Sequence, residues 1–122
     1  MINLHEKLDR EYNERKAKSV VAFGTIFKSS WGHGQSNVSF YEVVDCTPSG
    51  KSIIVRQLAT SAVESTETYD MIVPNEYSYI SDITTYRVSK ANDEYCFKVG
   101  YGEYAFEWNG KPAHKTNSGY GH

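Results

Sequence analysis

Near Val20 the spacing of apolar residues changes from four to two, and this change limits the chain to a helix followed by a small sheet. In residues 3–18, NLHEKLDREYNERKAK, Leu4, Leu8 and Tyr12 recur at i, i+4 as one narrow apolar stripe. Asn3 followed by Glu6 has the spacing of an N-cap and the residue that answers it. Glu6 with Arg10 and Glu11 with Arg15 are placed to pair on the wet face. So narrow a stripe buries little. It is expected either against the domain's own sheet or against the same helix of a second copy, which would make a homodimer.

From Val20 onward the runs VVAFGTIF, VSFYEVVDC, SIIVRQL, TTYRVS, EYCFKVGY and EYAFEW are short and rich in β-branched and aromatic residues. Glycine, proline, serine and asparagine separate them. TPSGK at 47–51 reads as a tight turn, SKAND at 89–93 as another, and WNGKP at 108–112 as a strand end closed by proline. The expected fold class is α+β, mainly β: an N-terminal helix and then a small antiparallel sheet or an SH3-like barrel or roll. One domain is expected, with the helix at 1–18, the β-domain at 20–109 and a polar tail, draped or frayed, at 110–122.

Side-chain alternation assigns faces. In VSFYEVV, Phe40 and Val44 point one way and Tyr41 and Val43 the other, so this strand is expected at the centre, covered on both sides. Tyr95, Phe97, Val99 and Tyr101 share a side. Tyr104, Phe106 and Trp108 share a side of the next strand, opposite Glu103, Ala105 and Glu107, with the two faces differing in wetness. Residues 59–70, ATSAVESTETYD, lack periodicity and read as a long excursion or flap; the segment MIVPNEYSYISDI after them is short, apolar and interrupted by proline.

Several chemistries are disfavoured. A formal net charge of −2 gives no broad field for phosphate backbones or anionic membranes. No apolar run nears the ~20 residues of a membrane span, and the first residues are charged, so a cytoplasmic location is expected. Cys46 and Cys96 lack CxxC spacing and read as free thiols on strands. His5, His33, His114 and His122 have no second His or Cys at ligand spacing, so no metal is expected, nor any cofactor. No GxSxG or phosphate-loop signature is present, and GHGQSN is not GxGxxG. The chain does not read as an enzyme.

Binding is better motivated. The run SSWGHGQSNVSFY places Trp31, His33, Gln35 and Asn37 in one glycine-bracketed loop, a flat ring with donors and acceptors for a planar polar ligand or a partner's backbone. The plainer reading is that Trp31 closes one end of the barrel. Arg56, beside Ile54 and Leu58, offers a phosphate or carboxylate contact, or a structural salt bridge. Tyr101, Tyr104 and Trp108 could stack bases, or be core.

The stretch SSWGHGQSNVSFYEVV resembles a family of small phage and mobile-element proteins that share a Ser-Trp-Gly, Gln-x-Asn, x-x-Phe-Tyr-x-Val core, here Ser30, Trp31, Gly32, Gln35, Asn37, Phe40, Tyr41 and Val43. WNGKP matches a Trp-Asp-Gly-Lys-Pro-like element, with Asn109 in place of the acid. The likeness spans about residues 24–112 and leaves the helix outside. His33 and Gly34 depart from the aromatic and acidic residues usual in that family, and no catalytic role carries over. The resemblance implies a small accessory protein of a mobile element. The expected function is therefore a non-enzymatic, anti-CRISPR-like inhibitor bound to a host defence protein. The alternatives are a module sequestering a nucleotide-like ligand through the 31–37 loop and Arg56, and a single-stranded nucleic-acid binder.

Overall fold

The computed structural model describes residues 3–31 and 37–116. Its helix, α1 (Leu4–Lys18), starts as its sequence requires: the Asn3 side chain accepts the Glu6 backbone N–H at 2.9 Å. Arg15, Lys16 and Lys18 in its last turn suit the negative end of the helix dipole.

Only the Tyr12 end of the stripe meets the β-domain. No residue of α1 is buried, and Leu4 and Leu8 are 71% and 53% exposed. The reason is that only the last turns are held. Arg15 donates two hydrogen bonds to Asp45 at 2.8 and 3.1 Å, and so pairs across to the sheet rather than with Glu11. The Cys46 thiol donates to the Arg15 carbonyl at 3.2 Å, and the Tyr12 ring sits 5.4 Å from Phe23. The Val20 N–H donates to the Gly50 carbonyl. Cys46 and Cys96 are both buried free thiols.

Partial burial alone would raise the Asp45 pKa, but the Arg15 guanidinium and the Cys46 N–H outweigh it and hold the carboxyl below its usual range. A folded pKa below the unfolded one stabilises above roughly pH 4 and loses that contribution as pH falls through the folded value. Asp45→Asn is expected to lower Tm at neutral pH, with the gap to wild type closing in acid. Thermal melts of the two proteins across pH check this.

Among the described residues nine strands follow: β1 (Ile26–Trp31), β2 (Asn37–Cys46), β3 (Ser52–Ser65), β4 (Tyr69–Tyr79), β5 (Thr84–Arg87), β6 (Ser89–Ala91), β7 (Glu94–Gly100), β8 (Glu103–Glu107) and β9 (Ala113–Thr116). They form one antiparallel sheet in the order β6-β7-β8-β1-β2-β3-β4-β9, with β5 paired to β3, curled into a half-barrel. The mainly-β α+β class is as expected.

The two wings of the sheet curl to opposite sides. On one side β5 meets β7 and encloses a first core of Phe27, Tyr41, Val43, Ile53, Val55, Phe97 and Ala105. On the other, β4 and β9 fold over β2 and cover a second core of Phe40, Leu58, Ile72 and Ala113, closed by Trp108. Strand β2 is thus central, with Phe40 in one core and Tyr41 in the other.

Several boundaries differ from the reading of the sequence. The first strand begins at Ile26, because Ala22 to Thr25 form a turn with Gly24 at φ +91°. TTYRVS forms β5 at Thr84–Arg87, and the first three residues of SKAND, read as a turn, are strand β6, with the turn confined to Asn92 and Asp93. Residues 59–70 are the far half of a long β-ribbon, in which Ser61 pairs with Val73 and Ser65 with Asp70. The start of the supposed polar tail is β9, paired to β4 from Ala113 to Thr116 with Ala113 buried. On β8 Ala105 faces the first core, while on the aromatic side Tyr104 is 47% exposed and Trp108 packs on the second core.

Candidate functional site

Cross-strand register places Phe27, Ser29 and Trp31 of β1 opposite Tyr41, Ser39 and Asn37 of β2, and Gln57 of β3 opposite Tyr41. These side chains share the inner face of the curl. At the Phe27 end the row is apolar. Toward Trp31 it becomes polar, and this change of character defines the candidate site.

There the Ser29 hydroxyl, fully buried, donates to the Glu103 carboxylate, which β8 brings alongside. The Trp31 indole N–H donates to the Ser39 hydroxyl at 3.4 Å, and the Gln57 amide reaches the same oxygen at 3.5 Å. Both contacts are long. Even so, Ser39 ties the indole edge to the sheet while the ring remains 49% exposed. The Asn37 side-chain nitrogen is buried and, among the described residues, has no hydrogen-bond partner. Burial first, then the Glu103 charge, raises the Tyr41 pKa, with the Ser39 and Ser29 hydroxyls pulling the other way. Tyr86 is raised for the same first two reasons. Both phenols are therefore neutral near pH 7 and available as donors.

Trp31 and Asn37 thus stand side by side, as the motif suggested. His33 and Gln35 lie outside the described residues. Arg56 does not join them. It stands opposite Glu42 on the other face of the sheet, donates to the Ser81 carbonyl at 3.1 Å and stacks 4.3 Å over the Tyr79 ring. Tyr79 in turn donates to Glu42 at 2.9 Å. For the described ends of that loop the pairing with Arg56 is corrected: strand parity puts Trp31 and Asn37 on the face opposite Arg56.

Nor do Tyr101, Tyr104 and Trp108 form one platform. Trp108 packs edge-on against Phe40 at 5.5 Å, and its N–H donates to the Lys111 carbonyl at 2.7 Å, so it closes the second core. Tyr101 is fully exposed in the turn after β7. Tyr104 lines a cleft of about 410 Å³ with Lys28, Ser30, Phe106, Glu94 and Glu107. Two carboxylates against one ammonium make that cleft a poor seat for a phosphate backbone.

Glu103, Ser29, Ser39 and Gln57 were not identified from the sequence as site residues. The signal available was two serines inside otherwise apolar strands, IFKSSW and VSFY. Among the described residues no group of three or more His, Cys, Asp or Glu could hold a metal, and no helix is long and apolar enough to cross a membrane. Comparison with protein-family models, with curated proteins and with solved structures finds no match in any of the three.

Proposed function

We propose that this chain is a non-enzymatic binding protein whose contact surface is the Trp31 end of the half-barrel, acting for a mobile element against a host defence protein. The observation that carries the binding reading is the half-exposed Trp31 ring, held at its indole edge by Ser39. A large ring fixed before contact loses little freedom on binding, and such aromatic anchors dominate protein interfaces. The mobile-element context comes from the likeness of SSWGHGQSNVSFYEVV to that family. With a net charge of −2 the protein is far from a nucleic-acid mimic, so shape and the aromatic anchor have to supply the recognition.

The test is phage infection of host strains that carry individual defence systems. Expression of the wild-type chain is expected to restore plaques in one such strain, and Trp31→Ala to abolish that rescue while keeping the wild-type Tm. No rescue in any strain would remove the counter-defence reading.

A second reading has its own observation. The Asn37 side-chain nitrogen, without a partner among the described residues, together with the Glu103 carboxylate and the Gln57 amide on the same face, suits a small planar ligand that presents both donors and acceptors. In that case the purified protein, denatured and examined by mass spectrometry, should release a stoichiometric small molecule. A clean spectrum would dismiss it.

A further inference from the structure

Helix α1 projects its first turns away from the domain that anchors its last ones, leaving Leu4 and Leu8 bare. Where the stripe reaches the sheet, at Tyr12, there is an open cleft of about 360 Å³ walled by Tyr12, Phe23, Tyr77 and Tyr79, with Lys16 and Glu42 at its rim. Tyr77 is unusual. The register of β3 and β4 jumps from Leu58 opposite Tyr79 to Thr60 opposite Pro74, so residues 75–78 bulge from the ladder. At this bulge Tyr77 takes φ +62° and is 79% exposed. A bulky residue in the left-handed region is strained, and such strain concentrates where a surface is built for contact.

We infer that the stripe and the cleft are the two halves of one self-complementary surface, and that a second copy of this chain occupies it. In an antiparallel pair of α1 helices centred on Leu8, Leu4 of one copy stands opposite Tyr12 of the other, at the mouth of the cleft that Tyr77 borders. The two-fold axis repeats this contact at the other end, as an isologous interface requires. The charges agree with that arrangement. Lys7 and Glu11 lie along the same edge of the stripe, and in an antiparallel pair like edges meet, so Lys7 of each copy comes beside Glu11 of the other. The seam is narrow, so the dimer is a weak one that forms at micromolar concentrations or above.

Sedimentation velocity over a concentration series tests this. The weight-average mass of the wild type is expected to rise toward that of a dimer by a few hundred micromolar. Leu8→Glu and Leu4→Glu should each raise the dissociation constant at least tenfold with unchanged far-UV circular dichroism, since neither side chain is buried. Tyr77→Ala should weaken the dimer by a smaller factor. Lys7→Glu alone should weaken it, and the double swap Lys7→Glu/Glu11→Lys should restore it to within about twofold. A wild type that stays monomeric throughout would overturn the inference and assign the stripe to a different protein. A dimer indifferent to Leu8→Glu, or not rescued by the charge swap, would overturn it equally, because the contact would then lie elsewhere.

Discussion

Phe97→Ala is expected to destabilise the protein by about 3–5 kcal/mol, the usual cost of removing a buried phenylalanine. Phe97 is the hub of the first core. Its ring lies 4.6 Å from Tyr86, 5.1 Å from Phe27 and 5.7 Å from Tyr41, and it is almost wholly buried. Three strands supply those neighbours besides its own, so the lost ring leaves a void that no single side chain can fill. A chain of this size should lose roughly 10–20 °C in Tm, read by thermal melting at neutral pH. A loss under roughly 1 kcal/mol would mean that the curl of β5 onto β7 does not depend on this cluster.

The second large effect is expected at Gly50. Its φ of +77° is a conformation that costs an L-residue about 1–2 kcal/mol. The surroundings add to this: a Cβ there would lie 2.2 Å from the Lys18 carbonyl oxygen, a backbone atom at the end of α1. Gly50→Ala must therefore displace either the β2–β3 turn or the end of the helix. The loss should be about 2 kcal/mol or more in chemical denaturation, with faster amide exchange at Val20, whose N–H bonds the Gly50 carbonyl, and at Ser19, whose N–H caps the helix end on the Arg15 carbonyl. Unchanged exchange at those amides would show that the helix is not anchored through Gly50.

Both effects follow from nonlocal contacts, and this marks what the sequence could and could not reveal. The Asn3 cap was legible because it is local, and β2 was legible because apolar residues on both of its faces demand cover from both sides. The β3–β4 ribbon was not. Its side chains from Thr60 to Thr68 are exposed, so the strand is held by the backbone ladder to β4, and no apolar alternation announces it. β9 was hidden for a related reason: short, polar and preceded by Pro112, it exists because β4 offers an edge that lies far away in sequence.

For the candidate site, the nearness of Trp31 and Asn37 was legible because both fall in one short glycine-bracketed run, though their pairing across β1 and β2 was not. The position of Arg56 was not, because the face of one strand relative to another depends on register, and β2 and β3 carry an irregularity between Val43 and Asp45. On β8 hydrophobicity predicts burial only on average: the small Ala105 lies in the first core with Phe27 and Phe97, while the larger Tyr104 on the other face is 47% exposed.

The central claim is that recognition passes through Trp31. The most direct test is affinity capture from the native host with wild-type and Trp31→Ala baits in parallel, read by quantitative mass spectrometry. Loss of a hot-spot tryptophan costs about 2 kcal/mol or more, close to 30-fold in affinity, so a specific partner should be retained by the wild type and largely absent with the variant. The same partners recovered in equal amounts with both baits would contradict the account.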